Sequence, residues 1–239
     1  MSYRKLLSAL SLLAVLPAAS AAPPPEFSAT RTPHAPRIDG NDDEAEWASA
    51  TPITSFGTFW SGQQARKQHR VRLLWDDDAL YYFAELPDDL VRPHGKQHND
   101  RLWLGDVFEL FFKPRDDSPA YYELEVNPWG TMLELAFPSR AVSFETLLGG
   151  PPLGMSVSTK VHDGRWVVEG RIPWSLFAAT TGRPKTGEQW KFHLAFYDYG
   201  ADGTEPELGS IAPLTVASFH RWEDYAALRF GPAPAPHNN

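Results

Sequence analysis

The chain has 239 residues, a formal charge of −8, 13% aromatic residues and no cysteine. The missing cysteines exclude a disulfide framework, a thiolate metal site and lipid attachment through a cleavage-site cysteine. The acidic balance argues against nucleic acid and anionic membranes as partners.

Arg4 and Lys5 precede an apolar run over 6–16 and then an Ala-Ser-Ala site at 19–21, the pattern of a secretory signal peptide over 1–21. The run is about eleven residues, short of the ~20 that a membrane-spanning helix needs. Removal is therefore expected, leaving a soluble mature chain, secreted or periplasmic. Losing Arg4 and Lys5 leaves 20 basic against 30 acidic residues, a formal charge of −10. A neutral ligand stays open, and carboxylates combined with nine Trp and eight Tyr suit sugars. Their hydroxyls bond to carboxylates and amides while their C–H faces lie on aromatic rings.

Residues 22–36, rich in Pro and small polar residues, read as an extended lead-in. The domain is expected over 37–230, beginning at Arg37-Ile38-Asp39-Gly40. In DDEAEWASA, Asp42 or Asp43 is placed to cap a short helical turn carrying Trp47 as a core plug. Short alternating or aromatic-rich segments follow: 71–75, 79–86, 106–112, 121–126, 131–137, 155–162, 165–172, 190–199 and 227–230. Each is bounded by turn residues, with reversals at Asp76-Asp77-Asp78, Asn127-Pro128-Trp129-Gly130 and Asp163-Gly164. One helical turn is expected after Pro173, over 174–177. The fold class is all-β: two antiparallel sheets packed as a sandwich in one domain, with a disordered tail over 231–239.

The stretch RLWLGDVFELFFKP, residues 101–114, poses a specific question. On a strand, Val107, Glu109 and Phe111 share one face, and Asp106, Phe108, Leu110 and Phe112 the other. Both faces are mostly apolar and should be covered, yet Glu109 sits in the middle of one. An unpaired buried carboxylate costs several kcal/mol, so Glu109 needs a partner or a ligand.

The ordered set IDGNDDEAEW, VRLLWDDDALYYFAEL, GDVFELFFKP, YYELEVNPWGTMLEL, WVVEGRIPW and SFHRWEDYAALRF resembles the family 9 carbohydrate-binding modules over nearly all of 37–230. The resemblance implies a β-sandwich of DOMON-like type, association with polysaccharide breakdown, a terminal sugar held between two aromatic rings, and structural calcium as the one ion to look for, no other cofactor being expected. The family's Trp, Asp and Glu at spacings of three fall on Trp103, Asp106 and Glu109, and the second ring on Phe219 or Trp222. Two polar positions differ: Glu125 stands where sugar binders of the family have Arg, and Ala195 where they have Gln. The implied reading is an exported, non-catalytic carbohydrate-binding protein, with Trp103 and an opposing ring stacking on the sugar and Glu109 and Asn127 orienting it. Glycan, linkage and oligomeric state are left open by these residues.

Two other classes are weighed beside it. Glu123 and Glu125 share a face of one strand about 6.6 Å apart, a separation a glycoside hydrolase could use, and the strand resembles the carboxylate strand of β-sandwich glycanases without its central Asp. Met132 and Met155, with His in the same domain, raise a haem-binding, DOMON-type electron carrier. For metals, the candidates are His94 and His98 in HGKQH, followed by Asp100, and calcium oxygens from Asp39, Asp42 and Asp43 or from 76–78; both acidic clusters equally suit capped turns.

Overall fold

A computed structural model of the chain describes residues 24–58, 63–200 and 205–233; the leader and most of the expected tail lie outside these. Among the described residues the elements are almost all strands: β1 Glu26–Arg31, β2 Gly57–Thr58, β3 Arg70–Trp75, β4 Ala79–Pro87, β5 Val107–Lys113, β6 Tyr121–Val126, β7 Met132–Phe137, β8 Ser156–His162, β9 Arg165–Pro173, β10 Gln189–Tyr199, β11 Pro206–Ser210 and β12 Ala226–Phe230. The α-helix among them is α1, Phe144–Leu148. No helix there is long and apolar enough to cross a membrane.

The strand alternation read from the sequence builds the core. Val71, Leu73 and Trp75 of β3, Leu80, Tyr82 and Ala84 of β4, and Val168 and Ile172 of β9 come from one sheet. Phe108, Leu110 and Phe112 of β5, Leu124 and Val126 of β6, and Phe192, Leu194 and Phe196 of β10 come from the other, and the two sets meet in one apolar layer. At roughly 1.5–3 kcal/mol for each fully buried large side chain, this layer is the main source of stability in a chain without cross-links. The residues between them point the other way. On β3, β4 and β9 these are Leu74, Tyr81, Phe83 and Val167, which close over Trp47.

Turn chemistry fixes the reversals. Asp76 Oδ1 accepts from the amides of Asp78 and Ala79, at 2.8 and 2.9 Å, and Asp76 Oδ2 from the Tyr81 hydroxyl at 2.9 Å. Gly130 and Gly164 supply the left-handed backbone, φ +76° and +73°, that their hairpins need. Trp47 lies on the expected turn, a single 3-10 turn at Ala45–Ser49, but Glu44 precedes it and no side chain caps it. Trp47 donates its indole N–H to Glu169 Oε1 at 3.0 Å, and Glu169 Oε2 accepts from the amides of Asp39 and Gly40. The IDG and Trp motifs are thus bolted to β9 through one buried carboxylate.

Two expectations are corrected. The sandwich is mixed rather than strictly antiparallel, because β1 runs parallel to both of its neighbours. The order β7-β6-β5-β10-β12-β1 forms one sheet and β1-β3-β4-β9-β8 the other, so β1 belongs to both. Residues 26–29 pair with β12 and residues 30–31 with β3. The segment read as a lead-in therefore contains the strand that joins the sheets, with Ala29 wholly buried. Prolines at 23–25, 33 and 36 hid it, because they flank the strand without interrupting it.

Candidate functional site

The face of the first sheet turned away from the core carries the site. Glu109 lies opposite Glu125 of β6 on one side and Ala195 of β10 on the other. One rung along, Phe111 lies between Glu123 and His193. Period-2 alternation on two neighbouring strands therefore gathers Glu109, Glu123 and Glu125 on one patch. Three irregular pieces cover it: the 3-10 turn Leu102–Leu104, α1, and the connection from β11 to β12.

Between patch and cover lies a cavity of about 500 Å³. Glu109, Glu123 and Glu125 line it together with the rings of Trp103, Phe144, Tyr197, Phe219 and His220. One oxygen from each of the three carboxyls lies within 4.8 Å of the others. The Oε2 atoms of all three are buried without a hydrogen-bond partner. Neither Arg72 nor Arg171 reaches Glu109: Arg72 pairs with Asp42 and Glu85, and Arg171 stands on β9 in the other sheet.

Burial is the first cause that raises all three acids, because an ion loses its hydration there. Glu123 is pushed up to about 8, and Glu109 and Glu125 lie well above the carboxylate range, each raised further by its neighbours. A hydrogen bond between Glu123 and Glu125 favours the proton on Glu125. Burial also lowers His220 to about 4, leaving it neutral, with its Nδ1 2.9 Å from the Tyr121 hydroxyl.

Trp103, Glu109 and Phe219 are brought to this cavity. Trp103 is half-buried, meeting Phe144 edge-on at 4.7 Å between ring centres. Phe219 is buried against Phe111 and His193. Asn127 and Trp222 are elsewhere, which corrects the expected roles. Asn127 Nδ2 donates to the carbonyls of His94 and Gly95, at 2.7 and 2.9 Å, and its Oδ1 accepts from the amides of Trp129 and Thr131. Its hydrogen-bonding capacity is thus spent on fixing the β6–β7 turn to the preceding loop. Trp222 lies against Tyr121, with the Arg140 guanidinium 3.6 Å above its ring.

Phe144, Tyr197 and His220 were not singled out from the sequence. Tyr197 was the accessible one, since it shares the face of Ala195 two residues on; Phe144 opens the five-residue α1 and His220 lies in a turn, and neither has a period to place it.

The remaining ligand candidates resolve as follows. His98 Nε2 meets Glu134 Oε2 at 2.9 Å, and Asp100 accepts from the amides of Lys96 and Gln97, so HGKQH is a structured loop rather than a metal pair. Asp39 pairs with Arg37 at 2.5 Å and Asp42 with Arg72 at 2.7 Å. Asp76 caps its turn. Met155 accepts from the Tyr82 hydroxyl at 3.8 Å inside the core, and Met132 packs against that core. A trio not foreseen, Asp88, Asp106 and Asp198, places one oxygen each within 4.8 Å of the others. Asp106 accepts from the amides of Arg92 and Tyr199, Asp198 meets Lys67 at 3.2 Å, and Asp88 Oδ2 is buried without a partner. Asp106, second in the Trp-Asp-Glu spacing, thus points away from the cavity and ties the loop at Arg92 to the end of β10.

Residues 38–231 match the family described as carbohydrate family 9 binding domain-like. The chain is 26% identical over 146 residues to endo-1,4-beta-xylanase A of Thermotoga maritima, covering 61% of this chain and 13% of that protein. It is 25% identical over 194 residues to the enzyme of the same name from Thermotoga neapolitana, covering 81% and 17%. The match therefore spans less than a fifth of either xylanase. Among solved structures, a family 9 carbohydrate binding module from Caldicellulosiruptor kristjanssonii in complex with cellotriose superposes with a TM-score of 0.65 at 16% identity, over 90% of this chain and all of that one. A putative carbohydrate-binding protein from Bacteroides uniformis gives 0.65 at 19% identity, over 87% of this chain and all of that one.

Proposed function

The chain belongs to the carbohydrate family 9 binding domain-like family, and from the cavity on its outer sheet we infer an exported protein that binds the end of a glycan without cleaving it. The observation that carries this reading is the pairing of aromatic walls with buried carboxyls that each keep one unpartnered oxygen, in a space of about 500 Å³. That volume lies in the range of small-ligand sites. Trp103 and Phe219 offer apolar faces to the sugar's C–H surface. A carboxyl both accepts and, when protonated, donates, so the floor can bond to hydroxyls of either orientation. The structures most like this one include modules solved with cellotriose and with glucose. The leader motif over 1–21 supports export.

The glycoside hydrolase reading is the weaker one. Hydrolysis needs an acid and a base whose environments push their pKa values apart, set on either side of the scissile bond. Glu123 and Glu125 stand side by side on one strand, and burial moves both in the same direction. The Asp88, Asp106 and Asp198 trio suits a hard cation such as calcium, since Asp88 Oδ2 has no partner and the carboxyls come from three separate places in the chain. Held there, the ion would brace the loops flanking β5 and β10.

Calorimetric titration of the mature protein with neutral and amino-substituted oligosaccharides tests the binding reading, alongside a reducing-end assay for hydrolysis. Binding without release of new ends is expected of the unaltered protein, and the combined change Glu123→Gln and Glu125→Gln, which alters the floor, is expected to weaken binding and likewise to release no ends. Hydrolysis that disappears in that double variant would overturn the reading.

A further inference from the structure

The charge of the cavity narrows the ligand, an argument that rests on the carbohydrate-binding reading above. Glu109, Glu123 and Glu125 are 2%, 4% and 1% exposed, each has one oxygen without a hydrogen-bond partner, and all three line the same cavity. Among the described residues no Lys or Arg lines the cavity, and His220 is neutral. The nearby cations on this face are committed elsewhere. Arg140 is paired with Glu223 and stacked on Trp222, and Lys113 donates to the carbonyls of Arg115 and Ser118. The walls add to the sign of the site, because the faces of Trp103, Phe144, Tyr197 and Phe219 are themselves electron-rich and attract a cation.

Beside a neutral sugar the three acids keep the protons that burial places on them, whereas a cation lets them ionise against an opposite charge. An ammonium group carries three N–H donors and one positive charge, matching three unpartnered oxygens in one cluster. A divalent ion fits less well, because the cavity has far more room than an ion fills and its remaining walls are mostly aromatic rings rather than further oxygens. We propose that the cavity selects an ammonium-bearing saccharide, an amino sugar with a free rather than acetylated amine, with the amine on the Glu109, Glu123 and Glu125 floor and the ring between the aromatic walls.

The test is a calorimetric comparison of three tetrasaccharides on the full mature chain: β-1,4-linked glucosamine, its fully N-acetylated form, and cellotetraose. It is run without calcium at about pH 6.5, where an amine of this kind is protonated. The free-amine tetramer is expected to bind about tenfold or more tighter than either neutral tetramer, the size of one charge-assisted contact. Glu109→Gln combined with Glu125→Gln is expected to erase most of that preference. If this variant fails to melt cooperatively, the single Glu125→Gln serves, and the wild-type ranking stands without any variant. Neutral tetramers binding as tightly as the amine would overturn the proposal while leaving carbohydrate binding intact. No binding of any tetramer would overturn both. Calcium chloride displacing the free-amine tetramer from the wild type, with calcium binding lost in Glu109→Gln combined with Glu125→Gln, would assign the floor to a metal and overturn the proposal.

Discussion

The carboxyl at position 109 is buried at a cavity wall with one oxygen lacking a hydrogen-bond partner, so its cost to the fold and its value to a ligand are linked. Replacing Glu109 by Gln keeps the shape and removes the group's ability to ionise against a bound cation. Affinity for a free-amine glycan should fall about tenfold or more, since hydrogen bonds to a charged group are worth roughly 1.5–3 kcal/mol. The melting midpoint at neutral pH should hold, because burial already keeps the Glu109 carboxyl protonated there. Calorimetry with a melting scan checks both; a lower midpoint with unchanged affinity would make Glu109 structural. Trp103→Ala should remove binding at a stability cost of about 1 kcal/mol, below the ~3–5 kcal/mol of a wholly buried ring, because Trp103 is half-buried on a 3-10 turn. The gathering of Trp103, Glu109 and Phe219 was legible because strand period and family spacing both point there. Asn127 and Trp222 were misplaced for a physical reason: a turn that consumes an amide and a guanidinium that caps an indole both depend on loops distant in sequence. Glu125 and Ala195, the two departures from the family pattern, stand on either side of Glu109 on a single rung, so they alter the same site.

Among the elements, β1 shows how a short strand can matter more than its sequence suggests. Most strands were readable, because each alternates over five or more residues between turn signals, and 121–126 agrees residue for residue. EFSATR offers only Phe27 and Ala29 as apolar positions, lies among prolines, and takes its partners from opposite ends of the chain. Its role is set by pairing, which no local window contains. A mature chain beginning at Arg37 should therefore lose cooperative unfolding, not merely a floppy leader. It would free the edges of β3 and β12 and open the seam between the sheets, a loss of several hydrogen bonds at roughly 0.5–1.5 kcal/mol each plus buried apolar area, against a total stability of only about 5–15 kcal/mol. Circular dichroism melts of the two lengths decide it, and a truncated chain melting as sharply as the longer one would return β1 to the status of a lead-in.

For the whole molecule, buried acids and buried histidines set opposing limits on stability. Burial lowers His69 to about 4, His193 to about 3 and His220 to about 4. Below about pH 6.5 the unfolded chain takes up these protons first, so these groups cost stability as pH falls from there towards 4. The acids act in the other direction: Glu123 is raised to about 8, Asp106 to about 7, and Glu109 and Glu125 well above their usual range. From about pH 4.5 upward the folded state holds protons that the unfolded state has released, so stability falls as pH rises through that window. The two slopes oppose each other between about 4.5 and 6.5, and above 6.5 only the acids remain. A chain with a formal charge of −8 also repels itself more strongly as its carboxyls ionise. The melting midpoint should thus be nearly flat in mildly acidic buffer and decline between about pH 6.5 and 8 by an amount equivalent to a few kcal/mol. Combined Glu123→Gln and Glu125→Gln substitution should flatten that decline and make the midpoint climb from about pH 4.5 to 6.5, where the histidine slope is then less opposed. Thermal scans at constant ionic strength measure this directly, and a wild-type midpoint that rises from pH 6.5 to 8 would mean that the buried carboxyls find a counter-charge when the protein is in solution.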